Sequence, residues 1–163
     1  MAPFALDLEK TKIKSSLVRL EPALNAFGSM LLVAKAEDEP GFHEWITKTR
    51  SQMSTEERFR HKLVMIGFHY AILPQVPGIT FEAYLEDLEA TPPSKFRERL
   101  LKAYAETCYT EEALKDMNQS VDWDEVLSSA GNYVDFLKSR FGVDGVDADV
   151  ETRAHEYVID PAA

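Results

Sequence analysis

The chain has 163 residues, 45% of them hydrophobic, and a formal net charge of −10. This length and apolar fraction set a single packed domain burying roughly 70% of its unfolded surface, and they exclude a disordered chain. One cysteine, Cys108, excludes an internal disulfide, and with no basic-then-apolar leader at the start the expected setting is the cytoplasm.

The charge is uneven. Residues 1–105 hold 14 acids and 14 bases, whereas residues 106–163 hold 14 acids and four bases. An acidic surface repels phosphate backbones, so the last third is not a nucleic-acid footprint. It reads as a solvated helical surface or, alternatively, as an acidic patch facing a basic partner. The longest apolar run, residues 30–34, is far below the roughly 20 residues that span a bilayer, so no membrane partner is expected.

In chain order, residues 12–20 (K-I-K-S-S-L-V-R-L) partly alternate and suit one short edge strand, with no partner strand evident elsewhere. Residues 19–36 are apolar on nearly every side after Pro22, which predicts the central helix of the domain. A second helix is expected from Pro40, carrying Phe42, Trp45 and Ile46 inward. Ser54-Thr55-Glu56-Glu57 is a capping box. The helix it opens has Phe59, Leu63, Ile66, Tyr70 and Leu73 on one stripe.

Thr80 caps a helix with Phe81, Tyr84, Leu85 and Leu88 on one side. Pro92-Pro93 starts another, with Phe96, Leu100, Tyr104 and Cys108 inward. Residues 109–119 suggest a short helical turn and a loop. Asp122 begins a long stripe through Trp123, Val126, Leu127, Ala130, Val134, Leu137 and Phe141, closed by Gly142. Asp147 opens a final helix with Val150, Ala154, Tyr157 and Val158 inward. Residues 159–163 (I-D-P-A-A) read as the start of a further helix, as in a fragment of a longer protein. The expected fold is all-α, an orthogonal bundle of about seven helices, with one possible N-terminal strand.

Chemistry-bearing patterns are sparse. Glu57, His61 and His69 can share one side of a helix, but no second metal-binding element accompanies them, and ordinary histidines are the simpler reading. No metal or other cofactor is expected. No nucleophile elbow and no phosphate loop occurs, and Cys108 lies on an apolar face, so no enzyme is indicated. Basic clusters at residues 48–62 and 95–102 are interleaved with acids and read as solvated helix faces. The remaining candidates are bulky, adaptable side chains in the first half. Phe27, Met30, Trp45, Met65, His69, Tyr70 and Tyr84 form the candidate lining of an apolar small-molecule pocket, or else simply a core.

The run L-E-P-A-L-N-A-F-G-S-M-L-L (residues 20–32), followed by P-G-F-H-E-W (residues 40–45) and an apolar helix ending before Pro74, resembles the N-terminal region of bacterial ArsR-like transcriptional regulators. The likeness spans roughly residues 13–73. It lacks the Cys-x-Cys signature of metal-sensing members. It implies that residues 1–163 form one regulatory domain that senses a small apolar or aromatic ligand, forms a homodimer, or both. Contact with DNA would come only through a winged helix further along the chain. An acidic interaction module and an unrecognised helical enzyme are the alternatives. The enzyme reading requires a polar pocket with a strongly perturbed acid or base.

Overall fold

A computed structural model describes residues 20–36, 41–111, 114 and 120–161, and every regular element among them is helical. The fold class is all-α, and no strand occurs among the described residues. The segment expected as an edge strand lies outside them, apart from Leu20.

The first helix, α1, spans Pro22–Lys35, with Pro22 in its first turn. Its start is tied to a distant loop: the Glu21 carboxylate accepts from the Gly78 N–H, and the Ala23 N–H donates to the Ile79 carbonyl at 3.3 Å. Helix α2 is Glu44–Ser51, and α3 is Thr55–Lys62. The capping box is present as expected, with the Ser54 N–H 2.8 Å from the Glu57 carboxylate and the Glu57 N–H 3.3 Å from the Ser54 hydroxyl.

The single helix expected from Ser54 to Leu73 does not form. After α3 the chain makes a π-helical turn, Leu63–Gly67, swings out of helical geometry at Phe68, and restarts as α4, His69–Ile72. Then come α5, Phe81–Ala90, capped by Thr80, and α6, Pro93–Glu106. The expected long helix from Asp122 is also split, into α7, Trp123–Val126, and α8, Ala130–Phe141. Ser129 causes the break by capping α8, its hydroxyl accepting from the Asn132 N–H at 3.1 Å. A 3-10 turn, Val143–Gly145, leads to α9, Ala148–Ile159, whose cap is Asp147. Two stripes thus yield four helices, which gives nine α-helices among the described residues instead of about seven.

The bundle is centred on α6, α8 and α9, not on α1. Leu100, Tyr104, Tyr133, Leu137 and Val158 form the main core with Ala71 of α4. Helix α1 buries Ala23, Phe27, Val33 and Ala34 but leaves Leu24 and Leu32 exposed, so it is one-sided. Its run of apolar residues is broader than its contacts. Helix α2 begins at Glu44 behind the His43 cap, later than the expected start at Pro40, and its Trp45 is 44% exposed, not inward. Only Ile46 and Arg50 of α2 are buried.

The π turn lies flat against α9. A Cβ added at Gly67 would stand 2.9 Å from the Ala154 Cβ and 3.4 Å from Val150, so only glycine fits. Elsewhere in a helix, Gly→Ala adds up to about 1 kcal/mol of stability. Here Gly67→Ala should lower stability by about 1–3 kcal/mol through overpacking. Urea denaturation of Gly67→Ala, Ala154→Gly and the double variant checks this, and the double variant should cost less than the two singles added together.

Candidate functional site

The π turn turns Met65 and Ile66 toward α1, and α4 carries His69 and Tyr70 into the same space. Tyr104 of α6, Leu137 and Phe141 of α8 and Glu151 of α9 close it from the other side, around a cavity of about 310 Å³. Leu31 and the exposed Lys35 of α1 stand at its edge with Tyr109. This volume is at the small end of the range for small-molecule sites, about 300–1,000 Å³.

The aromatic walls are organised by edge and face contacts. Tyr70 stacks on Phe141 with centroids 6.0 Å apart and meets Tyr104 edge-on at 5.8 Å. Phe141 also meets Tyr104 at 5.7 Å and Tyr109 at 5.8 Å. His69 lies edge-on to Tyr70 at 4.9 Å and against Phe27 at 5.2 Å. Such arrangements hold rings in fixed orientations. The Tyr104 hydroxyl donates to the Gly67 carbonyl at 3.4 Å, joining the wall to the π turn.

Burial sets the protonation states. It holds the Tyr70 hydroxyl above its usual range, with the Tyr109 hydroxyl beside it adding to the effect. Burial likewise raises Tyr104 and Tyr133, so all three phenols are neutral. His69 is lowered by burial, despite a backbone hydrogen bond at Met65 that favours its charged form, and Lys35 lowers it further. Glu151 is the outlier. Its residue is only 6% exposed and its Oε2 has no hydrogen-bond partner among the described residues. Burial, then the nearby Asp147 charge, push its carboxyl from the ordinary 4.5 up to about 8.

Of the seven candidate lining residues, Met65, His69 and Tyr70 line the cavity. Phe27 stands behind His69, and Met30 packs with Phe27, Ala34 and Met65 in the adjoining core, so neither is part of the wall. Tyr84 is buried elsewhere, donating to the Ile72 carbonyl at 2.6 Å, and Trp45 lies on the surface of α2. Sequence reasoning missed Tyr104, Phe141 and above all Glu151. One signal was present: Glu151, Ala154, His155 and Val158 fall at helical spacings, which puts an acid on the apolar stripe.

The other histidines are engaged separately. His61 Nε2 lies 2.8 Å from the Met30 carbonyl, His155 Nε2 lies 3.0 Å from the Leu127 carbonyl, and His43 caps α2. Among the described residues, no three His, Cys, Asp or Glu side chains gather where a metal could be held. Many of the basic side chains are occupied within the fold. Lys62 pairs with Asp147 at 2.7 Å, Lys95 with Glu98 at 2.6 Å, and Arg97 donates to the Val158 carbonyl at 2.7 Å. A second, larger groove of about 520 Å³ runs between Val64, Phe68, Phe96 and Tyr157, but among the described residues no buried side-chain N or O without a partner belongs to its lining. No described helix is long and apolar enough to cross a membrane.

No protein-family model, curated protein or solved structure matches this chain.

The raised carboxyl makes stability depend on pH in a defined sense. Below 4.5 the folded and unfolded chains both hold the proton, and Glu151 adds no pH dependence to stability. Between 4.5 and about 8 the unfolded chain ionises while the folded one keeps its proton, so stability falls as pH rises and levels off above. Unfolding free energies from urea denaturation at pH 5 to 9 should fall by about a few kcal/mol more in the wild type than in Glu151→Gln. His69 is common to both proteins and drops out of the difference. Parallel profiles would mean that water reaches the carboxylate.

Proposed function

We propose that this chain is a small-molecule-sensing domain of a bacterial transcriptional regulator of the ArsR-like kind, cytoplasmic and not itself a DNA reader. The observation that carries the reading is the cavity at the meeting of α1, the π turn, α4, α6, α8 and α9, with Met65, His69 and Tyr70 in its wall. Apolar surface with a few convergent polar groups is the usual make-up of a ligand site. The resemblance over residues 20–32 and 40–45 supplies the regulator part. Homodimerisation belongs to the same reading and is favoured by the exposed Leu24 and Leu32 of α1.

Glu151 favours a second reading, since a helical enzyme needs a perturbed acid in a pocket. Sensing is preferred because the tyrosines around it are held neutral, and the candidate nucleophile Cys108 is not among the lining residues.

Thermal unfolding in the presence of small aromatic compounds tests sensing directly. A ligand specific for the folded state should raise the wild-type Tm by several degrees and leave Leu31→Trp, which fills the cavity edge, unmoved. Equal shifts in both proteins would place binding elsewhere. Sedimentation at increasing concentration should show a dimer that Leu24→Glu with Leu32→Glu weakens at least tenfold. The regulator part requires a winged helix later in the same gene, and a gene ending at Ala163 would overturn it.

A further inference from the structure

We propose that the cavity binds an organic cation, a protonated amine or amidine on a flat apolar body, with the charge on the Glu151 carboxylate and the body against Tyr70, Tyr104 and Phe141. The proposal rests on the cavity being a ligand site and names the chemistry that site selects.

Three observations converge. First, Glu151 is 6% exposed, lines the cavity, and has an Oε2 without a partner among the described residues. A buried acceptor left unsatisfied is costly, and a ligand N–H would supply the missing bond. Second, the aromatic rings of Tyr70, Tyr104 and Phe141 line the same cavity, held by the Tyr70–Phe141 stack and the Tyr104 edge contacts. Aromatic faces attract cations, and more strongly when water is excluded. Third, the residues from 106 onward carry 14 acids against four bases, a field that draws cations and repels anions. Lys35 is the opposing charge. It is exposed at the edge, where its ammonium can remain in water while its stem covers apolar surface.

The groups around Glu151 decide how binding responds to protons. Asp147 on the same helix is paired with Lys62. Burial raises its carboxyl, but the Lys62 ammonium and the Val150 N–H outweigh that and hold it below its usual range, so it stays ionised. Tyr104 and Tyr133 face Glu151 from α6 and α8 and are neutral, as is Tyr70 on α4. His69 is lowered and uncharged at neutral pH. Glu151 is therefore the group that changes state. It is protonated in the empty cavity at pH 7 and gives up its proton to solvent when a cation arrives, and the ligand keeps its own.

Calorimetric titration of the intact chain at pH 7 with 1-naphthylmethylammonium, 1-naphthalenemethanol and 1-naphthoate separates the outcomes. The cation should bind at least tenfold more tightly than the alcohol and the carboxylate. Enthalpies in phosphate and Tris buffers should show close to one proton released for the cation and none for the alcohol. Glu151→Gln should lose the preference for the cation and still bind the alcohol. Should the alcohol or the carboxylate bind as tightly, should cation binding move no proton, or should Glu151→Gln hold the cation unchanged, the cation assignment falls while the ligand site stands. If none of the three binds the wild type, the ligand site falls with it. The proton count is read on the wild type, so the test survives even a poorly folded variant.

Discussion

The close approach of Gly67 to Ala154 is the constraint on which the rest of the structure depends. It lets the π turn lie directly on α9, with Leu63, Val150 and Ala154 packed around the contact. The extra residue in that turn changes the direction of everything that follows. Tyr70 meets Phe141 of α8 and His69 meets Phe27 of α1, instead of continuing the line of Phe59 and Leu63. Glu151 stands one helical turn before Ala154, so the same contact that seats the π turn also fixes the carboxylate at the cavity wall. The Tyr104 hydroxyl on the Gly67 carbonyl completes the link. A π turn inside an α-helix is often found at a functional site, because it re-aims side chains without breaking the chain's hydrogen bonding.

Local signals in the sequence located most helix starts. Ser54, Thr80, Asp122 and Asp147 each cap the helix expected of them, because capping is decided by residues three positions apart. What failed was continuity. Between Thr55 and Leu73 the local weak point is Gly67, which lowers helix propensity without specifying a π turn, and its packing partner, Ala154, is 87 positions away. Likewise Ser128-Ser129 sits inside an unbroken apolar stripe, yet Ser129 caps a new helix. The breadth of apolar sequence in α1 does not make it central, because composition alone does not distinguish a helix covered on all sides from one that leaves leucines at the surface.

The candidate site was half legible for the same reason. Met65, His69 and Tyr70 belong to a run whose aromatic density stood out, whereas Tyr104 and Phe141 looked like ordinary stripe residues. Glu151 was hidden by its company. Among the acids from residue 106 onward it is a single letter, and the solvated reading is right for exposed neighbours such as Asp144, Asp149 and Glu156. Only its register with Ala154, His155 and Val158 sets it apart.

Two carboxylates four positions apart, one capping α9 and one in its first turn, show how location decides chemistry. Asp147 and Glu151 differ by one methylene, yet one is held below its ordinary range and the other is driven up to about 8. Asp147 caps the helix and meets Lys62, so its charge is satisfied twice. That satisfied charge in turn adds to the burial that keeps Glu151 protonated. A group held in its disfavoured state stores a penalty, and whatever offers it a counter-charge recovers that penalty as affinity. The folded chain is therefore at its least content when the cavity is empty and the pH is high. For a domain whose proposed task is to register the arrival of a ligand, such a bias is useful: binding and stability become coupled through one carboxyl group, and the strength of the coupling is set by how completely the tyrosines exclude water from it.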